Sequence, residues 1–314
     1  MQDIWFAVLA LLLGGYFVGE GYAFGIGILL PLLGRDDRER RTALASLGPF
    51  FLGNEVWLVG AAGVLIGVFP RFEGLVLSRL YPLIVAVLLF IAMRDMALHL
   101  RSRRQSFAWR SRWDRVFTVG STGLAIAWGL IVGNLLQGVP SGRGDLLNSF
   151  ALLCGVTLPA LFAAHAAAFL ALRVKRPGLA RTAVVSGHRV CVLALPLAAL
   201  AVGTGIATDS VRLAAPHPAL ELVLGVVLLV AAGTAGALLG RRAGAAFALT
   251  SVAALLPVLL VGAVLAGQMR AGATDATTLH LLNWAALPMV PIILAYQGWL
   301  WTAFRAPVDR PAYW

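Results

Sequence analysis

Nine apolar stretches, each close to the span of a lipid bilayer, dictate what this chain can fold into. They lie near residues 4–33, 46–69, 76–99, 115–137, 147–172, 185–207, 219–240, 244–267 and 279–304. A helix needs about 20 apolar residues to cross the hydrocarbon core. Backbone polar groups in that core must be paired within the protein, which leaves only helices and closed barrels. Barrel strands run to about ten residues with alternating polarity, whereas these blocks are long and unbroken. The expected fold is an all-α polytopic membrane protein of about nine transmembrane helices, one membrane domain over residues 1–314. Eight of the nine helices suffice for two four-helix bundles, with one peripheral helix left over.

Charge, glycine and proline mark the breaks. These are the Arg35–Arg41 run, Phe69-Pro70-Arg71, the Arg101–Arg115 run, Val139-Pro140-Ser141-Gly142, Arg173–Arg181, Pro216-His217-Pro218, Arg241-Arg242 and Ala271–Thr274. The longest loop, about fifteen residues before Arg115, is too short to fold alone. The start, Met-Gln-Asp-Ile-Trp-Phe, has no basic region, and its apolar run continues to Leu33. That pattern is expected of a retained helix and not of a cleaved signal.

A net charge of +11 suggests nucleic acid in a soluble protein. Here 60% of residues are hydrophobic and the arginines sit in short loops between apolar blocks, so no nucleic-acid partner is expected. Basic loops beside membrane helices set orientation and meet anionic headgroups. Of the 25 basic residues, all but Arg71, Arg79, Arg143, Arg212 and Arg270 fall on one side, with Arg94 and Arg189 counted at the same helix ends. The positive-inside rule then places the N-terminus outside and the C-terminus in the cytoplasm. Cys154 and Cys191 both fall in apolar segments, which offers no disulfide framework.

Glu20 and Glu55 each place a carboxylate inside an apolar segment. An ionisable residue at such a place is a functional candidate. Glu20 is expected roughly 20 Å from the inner end of its helix and Glu55 about 13 Å from the start of its own, at 1.5 Å per residue. Arg94, Asp95 and His99 close the third segment on the same side. Chains of Asp, Glu and His relay protons because each can take and release one. Glu20, Glu55, His99 and Asn54 are therefore the proton-path candidates. The competing reading is structural, with both acids hydrogen-bonded to Asn54 or backbone. Gly15-x-x-x-Gly19 and Gly21-x-x-x-Gly25 suit close helix packing. Asn134 and Gln137, at the outer end of the fourth segment, can cap it, bond across helices or meet a headgroup or partner. His165 and His188 lie near the inner ends of neighbouring segments, where they either ligate a haem or serve as hydrogen-bonded interfacial groups. His217 and His280 carry no metal spacing, and no Cys/His cluster, P-loop or nucleophile elbow stands out.

Six runs, in order from end to end, resemble subunit II of cytochrome bd quinol oxidases. They are Glu20-Gly21-Tyr22-x-x-Gly25-x-Gly27, Gly34-Arg35-x-Asp37-x-Glu39-Arg40-Arg41, Gly53-Asn54-Glu55-Val56-Trp57-Leu58, Trp109-Arg110-x-x-Trp113-Asp114, Gly133-Asn134-Leu135-Leu136-Gln137-Gly138-Val139-Pro140 and Pro291-Ile292-Ile293-Leu294-Ala295-Tyr296-Gln297. The runs Gly53–Leu58 and Gly133–Pro140 are long and specific, and Gly21, Gly25, Gly53, Trp57, Trp113, Asn134, Gln137 and Tyr296 are the motif positions of the set. The resemblance implies a multi-pass subunit of a bacterial plasma-membrane complex that oxidises a membrane quinol and reduces oxygen to water. It implies haems b and d on a homologous-fold subunit I and no metal on this chain. It also implies that subunit II stabilises the complex and, in some members, contributes to a proton path or holds a structural quinone. A small single-helix subunit is left open.

Three positions depart from the family pattern. A second acid usual in the first run is Ala23, the Trp-Asp of the second acidic run is Phe51-Leu52, and His99 aligns where an Asp is frequent. The lost Asp at Leu52 belongs to the family's proton route. Protons then follow another route, or Glu20, Glu55 and His99 form a substitute, or the chain is a divergent paralogue. A proton-coupled transporter and a structural or assembly partner without a proton path remain the alternatives.

Overall fold

The structure, a computed structural model, describes residues 2–34, 36–139, 146–207 and 217–308. Arg35, Pro140-Ser141-Gly142, Arg143, Arg212 and Pro216, named above as loop residues, lie outside them. Twelve helices and one isolated bridge between Val174 and Val308 make up the regular structure of the described residues. The helices are α1 (Gln2–Leu33), α2 (Asp37–Ala45), α3 (Gly48–Val68), α4 (Pro70–Arg79), α5 (Tyr81–Arg101), α6 (Phe107–Leu136), α7 (Ser149–Arg173), α8 (Pro177–Ala207), α9 (Pro218–Leu238), α10 (Ala243–Ala271), α11 (Ala276–Ala285) and α12 (Met289–Ala303). Counting α11 and α12 as one, nine spans among the described residues are long and apolar enough to cross a membrane. This is the all-α polytopic fold expected from the apolar blocks.

Several expected boundaries are corrected. The fourth span begins at Phe107 and not near 115, so the Arg101–Arg115 run is no fifteen-residue loop; residues 102–106 alone connect α5 to α6. Arginine is a good helix former, and an apolar pattern marks only the part of a helix that faces lipid. For the same reason α8 starts at Pro177, well before 185, with its proline where the missing N–H would have no helical partner. The third span starts at Tyr81 because residues 70–79 form their own short helix α4. The ninth is interrupted: Pro288 has no N–H to donate, and Leu287 N bonds to Leu282 O at 3.2 Å as the first half ends. The charged break after Leu33 contains α2, whose N-cap Asp36 accepts from Glu39 N at 2.7 Å.

α1 is the hub. It packs on α3, α6, α7 and α10, and its glycines decide how. A Cβ on Gly15 would strike the Trp57 indole and one on Gly19 would strike Asn54, so this pair admits α3. A Cβ on Gly21 would meet the Phe162 ring, and one on Gly25 would meet the Phe162 carbonyl and Ala166. That second pair admits α7. Lipid tails are as apolar as leucine, so close packing and not water exclusion holds such helices together. Around the hub, α5 packs on α6, α6 on α7, α7 on α8 and α10, and α9 on α8 and α10. The broken last span touches chiefly α3, and only 6% of its apolar window is buried.

The core divides into two large clusters along the helices. One gathers Trp5, Tyr16, Phe17, Phe24, Trp57 and Phe162; the other gathers Tyr22, Phe50, Phe51, Phe117, Phe169 and Leu170. Glu20 sits on α1 at the level where they meet.

Candidate functional site

The α5 side chain Arg94 organises the centre of the first three spans. It is 1% exposed and reaches three carboxylates. Nη1 donates to Glu20 of α1, Nη2 to Glu55 Oε1 of α3 at 3.3 Å, and Nε to Asp95 Oδ1 at 3.0 Å. Its guanidinium carbon lies 5.2 Å from the Phe24 ring centre and 4.7 Å from that of Phe51, within cation–π range. The backbone permits this placement because α6 carries Gly120 there; a Cβ would press within 3.1 Å of Arg94 N.

The cluster is graded in exposure. The Glu20 side chain is fully buried, Asp95 is 24% exposed and Glu55 is 31% exposed. The arrangement thus runs from the protein interior to the outer face of α3 and α5. Each carboxylate can take and release a proton, while the guanidinium between them stays charged. Buried charges need paired, hydrogen-bonded partners, and here one arginine supplies them to three helix positions.

Asn54 sits beside this cluster. Its Nδ2 donates to Gly19 O at 2.8 Å and to Tyr22 Oη at 3.1 Å, tying α3 to α1. His99 is exposed on α5, four residues after Asp95 and so on the same helix face as that acid. The departures are also placed: Ala23 is fully buried and Leu52 is 67% exposed.

Most of the remaining motif positions hold helices together. Trp57 fills the space left by Gly15, and Gly21 and Gly25 seat α7 as described. Gln297 Nε2 donates to Gly53 O at 2.6 Å, which attaches α12 to α3. Gln297 therefore makes the anchoring bond next to Tyr296, which is 40% exposed and stacks on Trp299. Asn134 Nδ2 donates to Leu130 O and Leu146 O, and Gln137 Nε2 to Gly133 O and Asn148 Oδ1. They join the end of α6 to the start of α7. Trp113 packs edge-on to Trp109, whose Nε1 donates to Leu100 O at 2.8 Å.

A second ion network was not foreseen, although its members lie in quoted runs. Arg101, also 1% exposed, donates Nη2 to Asp37 Oδ1 at 2.8 Å and Nε to Asp114 Oδ1 at 2.5 Å. Arg110 adds a bond to Asp37, and Arg40 reaches Asp114 Oδ2 at 3.4 Å. The short helix α2 is thereby fastened to the ends of α5 and α6. The available signal was the spacing of Arg94 and Arg101, seven residues apart on one helix.

His165 does not fit a haem. His165 is fully buried, with Nδ1 at 2.8 Å from Thr250 Oγ1 and Nε2 at 3.0 Å from Val18 O, so neither nitrogen is available to iron. His188 is exposed on α8 with Nδ1 bound to Val184 O. Among the described residues no three His, Cys, Asp or Glu side chains group to hold a metal ion. A separate apolar cavity of about 400 Å³ opens between α6, α7, α8, α9 and α10, lined by residues such as Phe150, Leu158, Val202, Leu222 and Pro257. Glu221 is the acid in its wall, and the buried Oε1 has no hydrogen-bond partner among the described residues.

Fold and site define a multi-pass membrane protein with an ion cluster buried between its first three spans. The sequence profile of cytochrome bd terminal oxidase subunit II matches residues 1–304. The chain is 29% identical to cytochrome bd-I ubiquinol oxidase subunit 2 of Escherichia coli K12, over 97% of this chain and 94% of that protein. It is 27% identical to cytochrome bd ubiquinol oxidase subunit 2 of Bacillus subtilis 168, over 99% of this chain and 97% of that one. A chain in the structure of bd oxidase from Geobacillus thermodenitrificans shares the fold, with a TM-score of 0.69 at 16% identity, covering 96% of this chain and 98% of that one. This chain belongs to the cytochrome bd terminal oxidase subunit II family. Membership sets aside the reading as a proton-coupled transporter.

Proposed function

We propose that this chain is the haem-free subunit of a complex that oxidises membrane quinol and reduces oxygen to water. It pairs with a haem-bearing subunit I, where haems b and d reside. The full-length similarity to ubiquinol oxidase subunits 2 supports this reading. So does the engagement of both His165 nitrogens within this chain.

The chain's own contribution is a proton-handling cluster of Glu20, Glu55 and Asp95 held by Arg94. The observation that carries this is one buried guanidinium bonded to three carboxylates of graded exposure. Glu55, the most open, exchanges protons with the surroundings; Glu20 is the inner station; Asn54 fixes the helix carrying Glu55. Leu52 carries no proton, so the acid three residues later takes over the entrance. The N-terminus lies outside and the C-terminus in the cytoplasm, as the loop arginines direct.

The test is the Glu20→Gln variant of the purified complex. Slower quinol-dependent oxygen consumption and slower proton uptake, with unchanged haem bands, are expected. Wild-type rates of both leave the chain a scaffold. A C-terminal reporter active only outside the cytoplasm reverses the topology.

A quinone held by this chain has a fitting place in the apolar cavity beside Glu221. The lining matches an isoprenoid tail, and the unpartnered Oε1 accepts a hydrogen bond from a quinol hydroxyl. Extraction of the purified complex checks this: Glu221→Leu is expected to retain less quinone than wild type, and an equal content overturns the assignment.

A further inference from the structure

A groove on the opposite end of α8 has features that the oxidase reading does not use. It is a cavity of about 570 Å³ between the end of α1 and the first four turns of α8. Its lining includes Leu32, Arg181, Thr182, Val185, Ser186 and Arg189. Residues 181, 185 and 189 follow one another at four-residue steps, and 182 and 186 form the adjacent row. Side chains three and four apart share a helix face, so a single stripe of α8 presents two guanidinium groups, two hydroxyls and a valine to one concavity.

The charges in that stripe are uncommitted. Arg176, just before α8, is within 3.9 Å of Asp36 and 4.0 Å of Glu39. Arg181 and Arg189 are exposed and have no ion-pair partner among the described residues. Glu39 is the acid behind the groove floor: a Cβ on Gly178 would stand 3.0 Å from its Oε1. Arg176 already faces that carboxylate. The two arginine positions are about 12 Å apart along the helix by the 1.5 Å rise. Arginine side chains are long enough to span that gap from both ends, keeping their stems on apolar surface and their heads polar.

We propose that this groove is a phosphate-binding site that takes the headgroup of an anionic phospholipid. Arg181 and Arg189 close on the phosphate from two sides, as guanidinium groups do on phosphate oxygens. Ser186 donates from below, while the Thr182 hydroxyl already donates to Gly178 O at 3.0 Å. Leu32 and Val185, 61% and 43% exposed, give the adjoining acyl chain an apolar wall. A free phosphate satisfies the polar contacts and leaves the apolar wall unused, which is why the lipid is the preferred source. Basic pockets between membrane helices on the cytoplasmic side hold anionic headgroups in this way. The inference stands independently of proton handling or quinol chemistry.

Native mass spectrometry of the chain, purified from its membranes with whatever subunits accompany it, tests the site. The probes are phosphatidylglycerol, phosphatidylcholine and inorganic phosphate, each titrated into delipidated protein. Wild type is expected to bind one phosphatidylglycerol that Arg181→Gln/Arg189→Gln binds about tenfold more weakly or worse. Arg241→Gln/Arg242→Gln, a basic pair on another loop, is expected to bind it as wild type does. Arg181→Lys/Arg189→Lys, which keeps the charge, is expected to restore part of the affinity and shows that the fold tolerates change here. Retention of the lipid against millimolar inorganic phosphate identifies a lipid site; displacement by it identifies free phosphate as the source and keeps the phosphate site. Equal binding by wild type and Arg181→Gln/Arg189→Gln overturns the proposal, as does equal loss in Arg241→Gln/Arg242→Gln.

Discussion

Arg94 and Arg101 lie seven residues apart on α5, two turns along one face, and each closes a separate ion network. Arg94 gathers Glu20, Glu55 and Asp95 between α1, α3 and α5. Arg101 gathers Asp37 and Asp114 between α2 and α6. One helix face thus fastens four neighbouring elements, at two depths about 10 Å apart. Removing one partner of a buried pair costs about 3–5 kcal/mol, because the other charge is left uncompensated.

Arg94→Gln strands three acids at once. The assembled protein is expected to fall steeply in yield and in thermal midpoint. Arg94→Lys keeps the charge without the planar fork that reaches three acceptors, so it should assemble with a lower midpoint than wild type. Thermal unfolding of the detergent-solubilised protein reads both. An Arg94→Gln protein as stable as wild type would show that the cluster holds nothing together.

Glu55 is the open end of the same cluster, and its loss should affect rate before stability. Glu55→Gln preserves volume and one acceptor and removes the titrating group. We expect oxygen consumption to fall several-fold with the haem bands intact. Leu52 precedes Glu55 by three residues on α3 and is 67% exposed, so Leu52→Asp places a carboxylate on the neighbouring face at little packing cost. Leu52→Asp/Glu55→Gln should recover part of the lost turnover. No recovery would mean that an acid at 52 does not reach the inner station.

Arg101→Gln releases α2 from α5 and α6. Cleavage between residues 36 and 46 by added protease should quicken, because local opening precedes cutting. Oxygen consumption should decline less than in Glu55→Gln, since Arg101 touches no member of the Arg94 cluster. Unaltered cleavage would show that the Asp37 and Asp114 bonds add nothing to the anchoring of α2.

Much of this was legible in the sequence, and what escaped has identifiable causes. Glu20 and Glu55 announced themselves because a carboxylate inside an apolar block is costly. Arg94 was read as the polar end of its helix because Asp95, His99 and Arg101 follow closely. The structure buries it, since Gly120 and the α1 carboxylate receive it. His99 was grouped with the acids by proximity in sequence, and it shares the face of α5 that carries Asp95. The Arg101–Arg115 run looked like a loop because hydropathy cannot tell a helix extending into water from an irregular segment. Gln297 lay in a quoted run, yet its bond to Gly53 joins residues 244 apart, and no local pattern reports such a contact. The two glycine pairs of α1 were recognised as packing elements; their division between α3 and α7 depended on which partner each side faced.

Gly25 and Gly63 separate close approach from mere glycine content. A Cβ on Gly25 would run into the Phe162 carbonyl and Ala166, both fixed to the α7 backbone. α1 and α7 would have to part along their contact, and overpacking of this kind costs about 1–3 kcal/mol, often more where backbone must move. Gly25→Val should therefore lower the thermal midpoint of the purified protein and weaken its assembly. Gly63 on α3 has nothing within 4 Å of an added Cβ. There the glycine contributes only chain freedom, and alanine in a helix is favoured by roughly 0.5–1 kcal/mol. Gly63→Ala should leave the midpoint unchanged or raise it slightly. A Gly25→Val midpoint equal to that of Gly63→Ala would mean that the α1–α7 contact is looser than the Gly25 position demands.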